Sequence, residues 1–541
     1  MVDLPAELWT QVFDLSADED VIFQHGLPTA MAESAWFRHF NGQWDLRSPQ
    51  QAIELVQRRS YATKKAIVRT CKQWRSLGSE FLYRCLFFSD PARLLTVCSI
   101  LDASTTTSSL GWWTRRIHLT RFHASSLRGT TTESLQDALV SIIRHCPNLE
   151  IFIVDWPMAT SAFVAIADAL ATYARKSLRT LHINVPSSAL PKVIWALDSL
   201  PHVFAAQIEL EAPTPDDVQP DDTPLGAARD ITLRLPGLRQ LSVKGHVQEL
   251  LEQATGWTLP SLRHLSIDCG NSRSDLPDTL AFLRAHGAAL LFLDLDGLLS
   301  MPMPRILAAC PALTTLAFNG DWRVIVPDDE AGPSDDAGPP PFSHDKLVNV
   351  GLHGLSYAFG VGYAAAHTSP LPLSLLVNTS ANDRTLAALS TPTLFPSLQR
   401  LRVLSRTLLG DLERADGPGE QGGGMERWER WWEMCRRAGV RLEDCTGGEL
   451  GVLPAKEEPP QSDEEDEDDE DESEYEEDWE EGEEGDGRWV SGAAGGTHLT
   501  ELQKLLDECR AMEETRDENY MFNDPAARAL FPEIVVTPAG E

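Results

Sequence analysis

Paired-cysteine motifs, long apolar runs and basic stretches are all scarce in this 541-residue sequence. Each shortage excludes something. The nine cysteines are scattered, odd in number and never spaced C-x-x-C, so a reducing cytoplasm or nucleus is expected. No apolar run approaches the roughly 18 residues that would suggest a membrane span, and the opening Met1-Val2-Asp3-Leu4-Pro5 has neither a basic flank nor an apolar core. Membrane insertion and secretion are therefore not expected. The 14 histidines include no H-E-x-x-H and no cluster with cysteine at ligand spacing, so no metal, cofactor or catalytic triad is expected. Basic residues number 46 against 81 acids, a net charge of −35. Nineteen of the acids lie in residues 463–486, and removing them leaves −16. A chain this acidic outside its tail lacks the basic face that nucleic acid requires.

What is present is periodic. Leu8, Val12 and Leu15 follow Leu4 at helical steps, and Pro5 suits a first helical turn. These spacings predict a short amphipathic helix over residues 5–16. A second is predicted over 63–86 through Ile67, Cys71, Trp74 and Leu77, with Lys64, Lys65, Arg69, Lys72 and Arg75 as a solvated basic face. From about residue 110 a motif with apolar residues at relative positions 1, 4 and 6 recurs. Clear copies begin at Leu149, Leu178, Leu238, Leu262, Leu290, Leu313, Leu347 and Leu398, with a weak one around Ile208/Leu210. The 51-residue step before Leu398 leaves room for a hidden copy. Pro147, Pro236, Pro260, Pro311 and Pro396 each stand two residues ahead of a copy, where proline stops the preceding helix.

Each copy makes a short strand with one face inward, and helices at about 135–145, 163–173, 279–286 and 305–310 pack behind. One such unit cannot bury its own apolar face, so the units stack. The predicted fold class is α/β: a leucine-rich-repeat solenoid of parallel strands and helices over 110–446, preceded by a small all-α segment over 1–90. Trp428, Trp431, Trp432 and Cys435 share a face of a closing helix over 425–437, before a last strand at Val440-Arg441-Leu442. Residues 211–230 and 327–344 read as exposed Pro/Asp-rich loops. Residues 447–497 read as an acidic disordered linker, and 498–541 as a tail holding a helix opened by Thr500-Glu501-Leu502-Gln503.

Leu4-Pro5-Ala6-Glu7-Leu8-Trp9 followed by Val12-Phe13-Asp14-Leu15 resembles the opening of an F-box. Cys71-Lys72-Gln73-Trp74-Arg75-Ser76-Leu77 and Leu82-Tyr83-Arg84 resemble its close. With the proline-started repeats, residues 1–446 are similar to fungal F-box-like proteins carrying degenerate leucine-rich repeats. The resemblance implies a non-catalytic substrate-recognition subunit of an SCF-type ubiquitin ligase. Its helices would dock on a Skp-type adaptor, and through it on a cullin-RING scaffold, while the repeats hold a protein substrate. It assigns adaptor contact to Leu4, Pro5, Leu8, Val12, Phe13, Cys71, Trp74 and Leu77. Residues 18–59, with Trp36, Phe37, Phe40 and Trp44, separate the two halves as an insertion.

Two other classes remain open: a non-ligase leucine-rich-repeat scaffold, and an acidic histone-chaperone-like protein that holds basic partners by charge. Ser462 and Ser473, each with an acid three residues on, suit an acid-directed kinase that would deepen the tail's charge. The tail could also cover the basic helix at 64–75. Phe292-Leu293-Asp294-Leu295-Asp296-Gly297 resembles the nucleophile segment of haloacid-dehalogenase-like phosphatases, but Leu298 stands where threonine belongs and the segment is in strand register. No enzyme is expected.

Overall fold

A strand whose alternate residues are apolar must cover one face, and here the covering elements come from the chain between successive strands. The structure is a computed structural model describing residues 5–451 except 18, 39–43, 91, 104–109, 122–130, 213–225, 270–275, 298–299, 322, 326–342 and 367–372. The chain opens with α1 (Ala6–Ser16), α2 (Glu19–Ile22), an antiparallel hairpin of β1 (Ala35–Arg38) and β2 (Trp44–Arg47), then α3 (Pro49–Thr70) and α4 (Lys72–Arg84). One parallel sheet of twelve strands follows, almost in chain order. Its strands are β3 (Cys85–Phe88), β4 (Arg116–Leu119), β5 (Ile151–Pro157), β6 (Thr180–Pro186), β7 (Ala205–Glu211), β8 (Gln240–Gly245), β9 (His264–Asp268), β10 (Phe292–Asp296), β12 (Thr315–Asn319), β14 (Asn349–His353), β15 (Arg400–Val403) and β16 (Arg441–Glu443). A separate parallel pair, β11 (Ser300–Pro302) and β13 (Arg323–Ile325), stands apart from it.

The connections carry α5 (Ala92–Ala103), α6 (Thr132–His145), α7 (Thr160–Ala169), α8 (Leu190–Ser199), α9 (Gln248–Ala254), α10 (Leu276–His286), α11 (Met303–Ala309), α12 (Tyr363–Ala366), α13 (Leu373–Leu389), α14 (Arg406–Arg414) and α15 (Gly424–Ala438). All eight clear motif copies land on strands, with their first leucines buried in one continuous core. On β6, Leu181, Ile183 and Val185 enter that core, and by the two-residue period Thr180, His182 and Asn184 face the other way. Neighbouring strands lie about 4.8 Å apart, whereas packed helices need about 8–10 Å between axes. The layer of strands must therefore curve inward, with the face away from the helices concave.

Several expectations are corrected. The single helix expected over 63–86 is two, because the backbone at Cys71 is extended (φ −157°, ψ 170°) and its Sγ caps α4 by accepting the Trp74 N–H at 3.4 Å. Its end leaves as β3, so the sheet starts earlier than residue 110. The basic face is only partly solvated. Lys64 is buried against Glu19 at 2.5 Å, and buried Lys65 has its ammonium 4.6 Å from the Tyr61 ring centre, so Lys64 is unavailable to an acidic tail. The insertion is narrower than 18–59, since α3 begins at Pro49 and packs on α4. No strand occupies the step between β14 and β15 among the described residues; α12 and α13 do. Most of 211–230 and 327–344, and the linker and tail from 452 onward with Ser462 and Ser473, lie outside the described residues.

Local signals place α3. Ser48 and Gln51 form a reciprocal capping box, with Gln51 N–H donating to Ser48 Oγ at 3.1 Å and Ser48 N–H to Gln51 Oε1 at 2.8 Å. Ser48→Ala should therefore cost about 1 kcal/mol, to be read as a lower urea midpoint with an unchanged slope.

At the other end, Trp431 is buried with Cys435, and Phe359 sits edge-on to Trp431 and Trp428 at 5.2 and 4.9 Å. Trp431 Nε1 donates to Asp383 at 2.8 Å. The aromatic stripe closes the core.

Candidate functional site

Two surfaces stand out, one at each level of the fold. The first is the helical module. Phe13 is 1% exposed and sits edge-on to Trp74 at 5.2 Å and to Phe81 at 5.7 Å, with Ile67 completing the cluster. Trp9 and Leu77 pack against it, half-buried. Arg84 ties the module together by donating to Asp14 at 2.6 Å, Glu19 at 2.9 Å and Glu80 at 2.9 Å.

With Phe13 turned inward, the other side of α1 carries Leu8, Val12 and Leu15 at 44%, 45% and 83% exposure. Their spacing of four and three residues stacks them on one helix face. The result is an apolar ridge with no cover among the described residues. Of the residues expected at the adaptor contact, Pro5, Leu8, Val12 and Cys71 are exposed, and Trp74 and Leu77 are half-buried around Phe13. Phe13 itself belongs to the module's interior, a correction to its expected contact role. Leu4 lies outside the described residues. Leu15, the most exposed of the ridge, was legible in the periodicity but not assigned to the contact.

The second surface is the concave side of the sheet, and the chain covers part of it with itself. After α2, residues 23–34 cross the strands as an irregular strap. Arg116 of β4 donates to Ile22 O at 2.6 Å and Thr180 of β6 donates to His25 O at 2.6 Å. Gln240 of β8 exchanges two bonds with the Leu27 backbone, both 2.9 Å. Arg402 of β15 donates to Met31 O at 2.8 Å and to Glu33 at 3.0 Å, and Ser34 N–H reaches Cys445 O at 2.8 Å. Gly351 of β14 is where the strap comes closest, for a Cβ there would stand 2.7 Å from Met31 Sδ.

The hairpin β1–β2 then docks at the far end, where Trp36 and Leu46 meet Leu409 and Cys445. Trp36 therefore packs beside α14 and the end of β16, away from the α1 ridge, while Phe37 lies under Arg47 and faces α3. Phe40 lies outside the described residues.

Beyond the strap, the strand ends carry alternating charge. Glu209 faces Lys244 at 3.6 Å, and Asp294 accepts from Ser266 at 3.1 Å and lies 3.0 Å from His353 Nε2. Asp294 and Asp296 thus serve neighbouring strands. Burial alone would depress the His353 pKa, but the hydrogen-bonded Asp294 and the nearby Asp296 and Asp268 outweigh it and hold it above its ordinary value. A raised histidine contributes stability that is complete below its unfolded pKa of about 6.5 and fades as pH rises through the folded value. The stability gap between wild type and His353→Gln should therefore be wider at about pH 5.5 than at about pH 8.5 in urea titrations.

Among the described residues, Glu54, His118 and Asp155 bring metal-ligand atoms within 4.8 Å of one another, a juxtaposition that sequence spacing could not reveal because it joins α3, β4 and β5. No helix among the described residues is long and apolar enough to cross a membrane. No protein-family model matches the chain, and the comparison with curated proteins finds no similar sequence.

Proposed function

We propose that the chain is the substrate-recognition subunit of an SCF-type ubiquitin ligase. In this reading α1 to α4 form an F-box-like module on a Skp-type adaptor, and the parallel ladder is a leucine-rich-repeat solenoid that holds a protein substrate. One observation carries it: Leu8, Val12 and Leu15 form an exposed apolar ridge on a helix whose opposite side is fully used by the module's own core. Uncovered apolar stripes on amphipathic helices are partner surfaces. Because the strap occupies the start of the concave face, the substrate is held at the strand ends around Glu209, Lys244, Asp296 and His353. The role is reception, with ubiquitin chemistry supplied by the RING subunit's partners.

The test is reconstitution of the full chain with a purified Skp-type adaptor and size-exclusion chromatography. A stoichiometric complex supports the reading. If no complex forms while basic proteins such as histones are retained in a salt-sensitive way, the chain is a free-standing acidic scaffold instead.

A further inference from the structure

We propose that Glu54, His118 and Asp155 bind a divalent cation of the zinc class, which fastens α3 to β4 and β5 at the edge of the strap. Gln50, Glu54 and Gln57 lie on one face of α3 by their spacing, and all three reach toward the same strands. Gln50 Nε2 donates to Asp155 Oδ2 at 2.9 Å, and Gln57 Oε1 stands 3.1 Å from His118 Nδ1. In the tautomer with the proton on Nδ1, where Gln57 Oε1 accepts it, the other ring nitrogen presents its lone pair, as a metal ligand must.

That nitrogen is the second observation. His118 is 2% exposed, and its Nε2 has no hydrogen-bond partner. It points at acids: Asp155 Oδ2 is 3.6 Å away, and the Glu54 carboxylate lies within the same 4.8 Å group. With the proton on Nε2 the ring would point it at Asp155, and with the proton on Nδ1 the buried lone pair faces two carboxylates, an arrangement that a positive centre between them stabilises. Burial, reinforced by the charge of Asp155, raises the Glu54 carboxyl pKa, and burial lowers that of His118. A cation would relieve both stresses.

The surroundings match a ligand site. Gln57 orients the imidazole, while Gln50 and His182, whose Nε2 is 3.2 Å from Asp155 Oδ1, orient the carboxylate. Such outer partners accompany bound metals. One imidazole and two carboxylates favour a zinc-like ion over calcium or magnesium, which prefer all-oxygen shells. His118 and His182 also line a cavity of about 260 Å³ under Leu27 and Pro28, and Glu54 lines a second of about 270 Å³. Water can complete the coordination from either side.

The experiment uses the full chain, stripped with chelator and titrated with Zn²⁺ against a chromophoric competitor. Wild type should take up one tight equivalent and melt at a higher temperature when loaded. Glu54→Gln and Asp155→Asn should lose that equivalent, whereas Gln57→Leu should bind about 10–100-fold more weakly. Glu54 is only half-buried, so its isosteric variant keeps the fold, checked by circular dichroism. Weak binding to the acidic tract is common to every variant and cancels. Co²⁺ loading should give a spectrum without a thiolate charge-transfer band. The proposal is overturned if wild type takes up no more zinc than Glu54→Gln, if zinc leaves its melting temperature unchanged, or if the thiolate band appears.

Discussion

Leu15→Asp should weaken binding to a Skp-type adaptor about 30-fold while moving the melting temperature hardly at all. Leu15 is 83% exposed and makes no contribution to the Phe13 cluster, so the folded chain tolerates aspartate within about 0.5 kcal/mol. At an interface the same change buries an unpaired carboxylate where an apolar anchor belonged. Anchors of this kind are worth about 2 kcal/mol or more, roughly a 30-fold loss of affinity each. Val12→Asp/Leu15→Asp should therefore bring adaptor binding below detection in a calorimetric titration.

Phe13→Ala is the informative opposite. Phe13 is enclosed by Trp74, Phe81 and Ile67, so its truncation leaves a cavity and costs about 3–5 kcal/mol. Binding then weakens because the module loosens, and hydrogen exchange in α1 and α4 should rise together. Undiminished adaptor affinity in the Val12/Leu15 double variant would remove the ridge from the interface. The substrate-receptor reading would then have lost the surface that supports it.

The ladder was legible in the sequence wherever three apolar residues held positions 1, 4 and 6, and most of all where a proline stood ahead of them. Leu262, Leu265 and Ile267 illustrate this, all buried, with Pro260 ahead of them. The same spacing occurs at Tyr83/Leu86/Phe88 and Thr114/Ile117/Leu119, which became β3 and β4. They were hidden because their first members are an aromatic and a hydroxyl. Thr114 satisfies its buried hydroxyl by donating to Tyr83 O of α4 at 2.8 Å, a compensation that only the folded chain provides.

The first helix was legible for a related reason, since α1 is amphipathic on its own. Which of its faces stays exposed was not, because Phe13 and Val12 are both apolar and only α3 and α4 decide between them. Lys64 read as a surface charge because its counter-ion, Glu19, is 45 positions away and on another helix. The strap left no periodic trace at all. Its backbone is held by single side chains of distant strands, Thr180, Gln240 and Arg402, and irregular backbone fixed in this way obeys neither the helix nor the strand period.

Arg402→Met should release the far half of that strap and cost about 3–5 kcal/mol, the range for stripping one partner from a buried ion pair. Arg402 is buried, and its Nε and Nη2 both donate to Glu443 Oε2, at 3.0 and 2.7 Å. Glu443 is equally buried, and Arg441 at 3.5 Å is its remaining cation. The same guanidinium holds Met31 O and Glu33, so one substitution removes both a charge balance and the strap's anchor at β15. These two effects separate in a second variant. Arg402→Met/Glu443→Met eliminates the stranded carboxylate, and apolar replacement of both members of a buried pair is often neutral or stabilising, so most of the lost stability should return. The strap, by contrast, should stay loose in both variants, with faster hydrogen exchange over residues 29–34 and unchanged protection near His25, where Thr180 still holds it. Full recovery of protection in the double variant would mean that the strap is held by its own packing against Gly351 rather than by Arg402. If the anchor is Arg402, both variants loosen the strap from β9 to β15, and a substrate held at the strand ends beyond it should bind them about as tightly as wild type.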